Sequence, residues 1–214
     1  MDIFEMFYNN RNEEQAIPMA KYMRDIFPFL GFKKPERVKL SKEFLKAKRR
    51  EDKIDWDFIF KCYQMPEREF QYLAIDYMEK VKDKFTPKDM ENIEKLITTK
   101  SWWDSVDAIS KIVGHVAIKY PRIKEDYIIK WMKSDNIWLK RTSIIFQLQY
   151  KDKTDTDFLA KAILYNSQTD EFFINKAIGW ALREYSKTNK EWVKNFIDKN
   201  ALHPLSVREG SKYL

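Results

Sequence analysis

The sequence predicts an all-α protein made of stacked two-helix repeats. Helix starts recur near positions 67, 101, 136 and 171, which gives steps of 34, 35 and 35 residues. Each interval contains a long amphipathic stretch, a turn and a shorter amphipathic stretch. A fixed period of about 35 residues built from two helices is typical of a HEAT-like α-solenoid, in which corresponding positions of successive repeats line one concave surface. Only 4 Gly and 7 Pro occur in 214 residues, which disfavours a turn-rich all-β fold.

The segments fit one solenoid domain over residues 1–214. Residues 1–12 read as a short lead-in, and N-terminal helices follow within about 14–64. The predicted helices of that region are 14–27, 35–48 and 56–64, the last with Asp55 as its N-cap. Shorter second helices of the repeats are expected at 87–98, 123–133, 155–165 and 190–199. A last helix is predicted from about Ser206, which forms a capping-box pattern with Glu209.

Composition narrows the functional class. The formal charge of +7 and a pI near 9.2 favour an anionic partner, and the surface expected from the repeats is a basic groove. We see neither a run of about 18 apolar residues nor a secretory signal pattern, so no membrane association is expected. A single cysteine, Cys62, fits a core position in a cytoplasmic protein. Phosphate-loop, dinucleotide and hydrolase motifs are missing, and we expect neither a metal nor another cofactor.

The stretch from Lys100 to Asp107 places two tryptophans beside two aspartates. With Ser101 as the N-cap, an apolar stripe points to the core, formed by Trp102, Val106, Ile109 and Val113. Trp103 and Asp107 share another face because they are four residues apart. Small residues continue that face, namely Ser110 and Gly114, and they leave room for something to approach. The alternative is a half-buried aromatic residue beside a solvated charge.

The repeat period extends this face. Asp107 corresponds to Arg141 and then to Lys176, at steps of 34 and 35. Trp180 and Arg183 follow Lys176 at helical spacing, so the predicted groove combines aromatic residues, cations and one carboxylate. Such a groove suits a nucleic-acid backbone and its bases. Lys176 and Arg183 fit a solvated stripe equally well, and we interpret Trp138 as a packing residue.

Three segments closely resemble the AlkD family of bacterial DNA alkylation repair glycosylases. They are Ser101-Trp-Trp-Asp-Ser-Val-Asp107, Asp135-Asn-Ile-Trp-Leu-Lys-Arg141 and Phe172-Phe-Ile-Asn-Lys-Ala-Ile-Gly-Trp-Ala-Leu-Arg-Glu-Tyr185. Shorter motifs agree in order along the chain, namely Met19-Ala-Lys-Tyr-Met23, Phe29-Leu-Gly31, Pro35-Glu-Arg37, Pro66-Glu-Arg-Glu-Phe-Gln71 and Pro204-Leu-Ser206. The chain departs from the family pattern at Lys33-Lys34, before Pro-Glu-Arg, and at Val207, after Pro-Leu-Ser.

The resemblance implies a HEAT-like DNA glycosylase acting in base excision repair. Its substrate would be duplex DNA that carries 3-methyladenine or 7-methylguanine. The resemblance implies that the enzyme removes the damaged base without flipping it out of the duplex. We expect a monomer. The resemblance assigns four residues to catalysis: Asp107 as the carboxylate, Trp103 and Trp180 as the pair packing on the deoxyribose, and Arg141 as the phosphate-side cation. DNA contacts are expected at Tyr22, Lys33, Lys34, Lys176 and Arg183.

The implied chemistry is coherent. An alkylated cationic purine is already a good leaving group, and a carboxylate and indole faces favour the oxocarbenium-like sugar. Two other functions stay open on the sequence. One is a solenoid that binds nucleic acid without catalysis, and the other is a protein-interaction solenoid.

Overall fold

The computed structural model describes residues 2–214, which fold into helices without strands. The predicted all-α, HEAT-like solenoid class is confirmed. Contacts divide the chain into two compact units, one reaching Phe85 and the other spanning Thr86–Leu214. The single-domain organisation over 1–214 stays a prediction. Along residues 2–214, none of the helices combines the length and apolar character that crossing a membrane requires.

The described part of the first unit, residues 2–85, contains five α-helices. They are α1 (Ile3–Asn9), α2 (Glu13–Tyr22), α3 (Lys34–Lys48), α4 (Trp56–Gln64) and α5 (Arg68–Lys80). The ordered lead-in expected over residues 1–12 contains a helix that was not predicted, α1, whose Phe4 and Phe7 are buried and stack on Phe70 of α5. The helix expected over 14–27 ends early because Arg24 and Asp25 adopt left-handed backbone angles, which a helix does not contain.

The second unit contains eight α-helices within the described residues. They are α6 (Met90–Thr98), α7 (Trp103–Lys119), α8 (Ile129–Met132), α9 (Ile137–Ile145), α10 (Thr156–Asn166), α11 (Phe172–Ser186), α12 (Lys190–Lys199) and α13 (Pro204–Gly210). A π-helical turn over Lys124–Ile128 leads directly into α8. The helix predicted over 123–133 is therefore present but irregular.

Local capping explains three of the predicted helix starts. The side chain of Asn136 accepts hydrogen bonds from the backbone N–H groups of Trp138 and Leu139, at 2.9 and 3.3 Å, and starts α9. Glu171 caps α11 in the same way. Asp55 caps α4 through the N–H of Phe58, as predicted. These caps satisfy N–H groups that lack partners inside the helix.

The core positions follow the predicted periodicity. Val106, Ile109 and Val113 of α7 have no solvent exposure, which confirms the apolar stripe from its second member onward. Cys62 is also fully buried, and this burial raises the pKa of its thiol. The thiol is therefore a packing group and is not poised to react as a thiolate.

Candidate functional site

Helix α7 begins one turn before Asp107, and its start differs from the prediction. Trp102 occupies the N-cap position, and α7 begins at Trp103. The expected N-cap residue Ser101 instead donates its hydroxyl to the carbonyl of Ile97, at 2.6 Å. Trp102 is therefore outside the helix, and its indole packs edge-on against Phe173, with ring centroids 4.9 Å apart.

Asp107 and Arg141 form a two-point ion pair between α7 and α9. The Nε and Nη2 groups of Arg141 donate to Oδ1 and Oδ2 of Asp107, at 2.7 and 2.9 Å. Nη1 of the same guanidinium donates to the carbonyl oxygen of Phe173 in α11, at 2.6 Å. The planar guanidinium fork is suited to this geometry. One side chain thus links α7, α9 and α11, the first helices of three consecutive repeats.

The pair is secluded from solvent. The side chain of Arg141 is 6% exposed and that of Asp107 is 15% exposed. Burial raises the pKa of the Asp107 carboxyl, and the hydrogen-bonded Arg141 guanidinium opposes this increase. A carboxylate offers about four lone-pair positions, of which Arg141 takes two. Asp107 therefore keeps acceptor capacity for another positive or proton-bearing group.

An aromatic cluster is linked to this ion pair through Phe173, whose carbonyl oxygen accepts from Arg141. Trp138 is 9% exposed and contacts the rings of both Trp102 and Phe173, which confirms that it is a packing residue. Trp103 lies one helical turn before Asp107 and is half-buried. Trp180 is also half-buried and lies two turns after Phe173 on α11. The two candidate sugar-packing residues are thus both partly accessible, on helices that Arg141 links.

The small residues near Asp107 have a different purpose from the expected one. Ser110 is buried, and its hydroxyl lies 3.1 Å from that of Thr142 in α9. A Cβ atom added at Gly114 would collide with the carbonyl of Phe146, just after α9. The room that these residues leave is occupied by the neighbouring repeat. The expectation that they admit a ligand was wrong.

Helix α13 changes the account of the cations on α11. This helix begins at Pro204, so Ser206 and Glu209 lie inside it, and the predicted capping box was wrong. Glu209 is buried and pairs with Arg183 at 2.8 Å and with Lys176 at 3.2 Å. Sequence reasoning missed this partner because the Ser-x-x-Glu spacing fits a helix start and a helix interior equally well. Both cations therefore share one carboxylate.

Glu209 provides a pH-dependent contribution to stability. Hydrogen bonding from Lys212 and Lys176 lowers the pKa of the Glu209 carboxyl to about 2, against an opposing effect of burial. Because the folded-state pKa is depressed, the stabilisation is present above the unfolded-state pKa of about 4.3 and is lost as the pH falls towards 2. We expect the difference in unfolding free energy between wild type and Glu209→Gln to be constant above pH ~5 and to shrink below it. Urea unfolding followed by circular dichroism measures this difference, and a difference unchanged down to pH ~2.5 would contradict the depressed pKa.

The remaining predicted DNA contacts lie in the first unit. Tyr22 is the last residue of α2 and is 73% exposed. Lys33 and Lys34 are exposed at the start of α3, where the N–H of Lys33 donates to the carboxylate of Glu36, at 2.9 Å. The loop before them is fixed by Glu69, whose carboxylate accepts from three consecutive N–H groups, those of Leu30, Gly31 and Phe32. Their roles in DNA binding stay predictions.

Comparison with known proteins identifies the family of the chain. A family model described as "DNA alkylation repair enzyme" matches residues 3–214. A solved structure described as a predicted DNA alkylation repair enzyme from Enterococcus faecalis is 40% identical in sequence, with a TM-score of 0.90. That match covers 95% of this chain and 96% of the other chain. No curated protein matches this sequence. The chain therefore belongs to the DNA alkylation repair enzyme family.

Proposed function

We propose that the protein is a monofunctional DNA glycosylase that removes N3- or N7-alkylated purines from duplex DNA, as a step of base excision repair. The observation that carries the proposal is the Asp107 carboxylate, which Arg141 holds in a fixed orientation within a partly aromatic site. Family membership supports DNA as the partner and alkylation damage as the substrate class.

The proposed reaction uses the charge of the damaged base. As the glycosidic bond breaks, the electron pair leaves with the alkylated purine, which becomes neutral, and positive charge develops on the deoxyribose. A nearby carboxylate stabilises that charge and accepts a hydrogen bond from the attacking water, whose oxygen bonds to C1′ and whose proton passes to the carboxylate and then to solvent. Asp107 has this role in the proposal. Trp103 and Trp180 present indole faces to the cationic sugar.

Arg141 has a double task in this proposal. Its two hydrogen bonds favour the ionised form of Asp107 and orient the carboxylate, and its contact with the Phe173 carbonyl fixes the guanidinium itself. The resemblance assigned Arg141 to the phosphate side of the site, and a guanidinium has five N–H donors, so about two are left for a phosphate oxygen. Because the base leaves as a neutral molecule, no general acid is required. As the resemblance implies, the lesion is processed in the proposal without extrusion into a closed pocket.

A base-release assay tests the proposal. Duplexes with a single 7-methylguanine are incubated with the protein, and free base is quantified by chromatography and mass spectrometry. We expect release well above the spontaneous rate for the cationic lesion and none for a matched duplex containing hypoxanthine, a neutral purine and poor leaving group. Release that equals the heat-inactivated control, together with salt-dependent duplex binding, would instead support the non-catalytic binding solenoid.

A further inference from the structure

Glu209 lies at the centre of a cluster of cations in the second unit. Its carboxylate, on a side chain only 8% exposed, pairs with Lys176 at 3.2 Å, Arg183 at 2.8 Å and Lys212 at 2.7 Å. Three cations against one carboxylate leave two positive charges in a small region. Such a surplus attracts a multivalent anion.

The packing of α13 on α11 fixes the position of this carboxylate. Gly179 lies between Lys176 and Arg183 on α11, and a Cβ atom there would come within 2.5 Å of the Glu209 Cβ. One turn earlier on α13, the buried hydroxyl of Ser206 donates to the carbonyl of Asn175, at 3.0 Å. Glu209 is therefore held against α11, and the cations that bind it are held with it.

The cations nevertheless stay accessible. The side chains of Lys176, Arg183 and Lys212 are 38%, 26% and 47% exposed. An ammonium group has three donors and a guanidinium five, so each cation has N–H groups beyond those that bind Glu209. Because Glu209 already orders the three side chains, they lose less conformational entropy when an anionic ligand binds.

We propose that Lys176, Arg183 and Lys212 form one binding site for a DNA backbone phosphate and that Glu209 is its positioning residue. The choice of DNA as the partner rests on the proposed function. Lys176 and Arg183 lie seven residues apart on α11, and Lys212 reaches the same carboxylate from the end of α13. A tetrahedral phosphate, with its several oxygens, fits donors that converge from two helices.

Binding to an undamaged duplex tests the phosphate site without involving base release. We expect Lys212→Ala to lower the slope of log K against log salt by about 0.9 and to weaken binding about eight-fold at 0.1 M salt, because one fewer counterion is released. Lys161→Ala is the control, since it removes the same charge from an exposed position on α10 and is expected to leave the slope unchanged. Equal slopes for the two variants would overturn the phosphate site.

A double-mutant cycle tests the role of Glu209. Glu209→Gln adds net positive charge, so an electrostatic effect alone would tighten DNA binding. Positioning predicts instead that Lys212→Ala has a clearly smaller effect in the Glu209→Gln background than in wild type. An unchanged effect of Lys212→Ala would show that Glu209 does not position the cation. If Glu209→Gln does not fold, the comparison of Lys212→Ala with Lys161→Ala still decides the site, and the base-release assay decides the glycosylase separately.

Discussion

Asp107→Asn is expected to lower the single-turnover rate of 7-methylguanine release by about 10²–10³-fold, the range typical for removal of one electrostatic group that stabilises a transition state. Asparagine keeps the size of the side chain and removes its charge. It cannot neutralise the developing oxocarbenium ion, and its amide leaves the buried Arg141 without its counter-charge. The measurement is the rate of base release at saturating enzyme, so that weaker DNA binding does not enter the comparison.

Asp104→Asn is the matched control for this prediction. Asp104 lies three residues earlier on the first turn of α7, so the change removes the same charge from the same helix. We expect base release near the wild-type rate. If Asp104→Asn and Asp107→Asn reduce the rate equally, the assignment of Asp107 as the catalytic carboxylate is wrong.

Arg141→Ala is expected to have the largest effect on stability, about 3–5 kcal/mol in the free energy of unfolding. The substitution removes hydrogen bonds to Asp107 and to the Phe173 carbonyl, and it leaves a buried carboxylate without its partner. Because the guanidinium opposes the burial effect, its loss raises the pKa of Asp107 further. In the proposed mechanism the ionised form of Asp107 is the active one, so the residual base release should decline at a higher pH on the acid side than in wild type.

Urea unfolding and a pH–rate profile measure the two consequences. Arg122→Ala is the control, since this arginine is exposed and lies in the same unit, and its replacement should change stability by less than about 0.5 kcal/mol. The double variant Asp107→Ala with Arg141→Ala should be less destabilised than the sum of the single variants, because it leaves neither charge unpaired. Strictly additive effects would contradict a coupled buried pair.

The sequence was informative about features that depend on neighbouring residues. The helix starts at Asn136 and Glu171 follow from side chains that cap the next few N–H groups. The buried stripe of Val106, Ile109 and Val113 follows from helical spacing alone. Where local signals competed, prediction failed, as at Ser101, where the hydroxyl bonds to the preceding helix. The sequence did not predict the short helix α1, because its few apolar residues become core residues only through their contact with α5.

The candidate site shows the same division. Repeat arithmetic related Asp107 to Arg141 and Lys176, helical spacing placed Trp103 and Trp180 on the same surface, and the resemblance gave these residues their roles. Neither indicated that Arg141 binds Asp107 at two points. That ion pair joins residues 34 positions apart, and it depends on how closely two helices approach.

The sequence by itself determined the helical class, the repeat period, the family and the candidate residues, because periodicity, capping and motifs depend on residues that are close together in the sequence. Only the tertiary structure decided what those residues contact. In the structure, the next repeat fills the space beside Ser110 and Gly114. Glu209 is buried and pairs with the cations of α11. The physical reason is that desolvation and ion pairing depend on three-dimensional distance. The approach of α13 to α11 over Gly179 is a property of the packed helices, and no local pattern contains it.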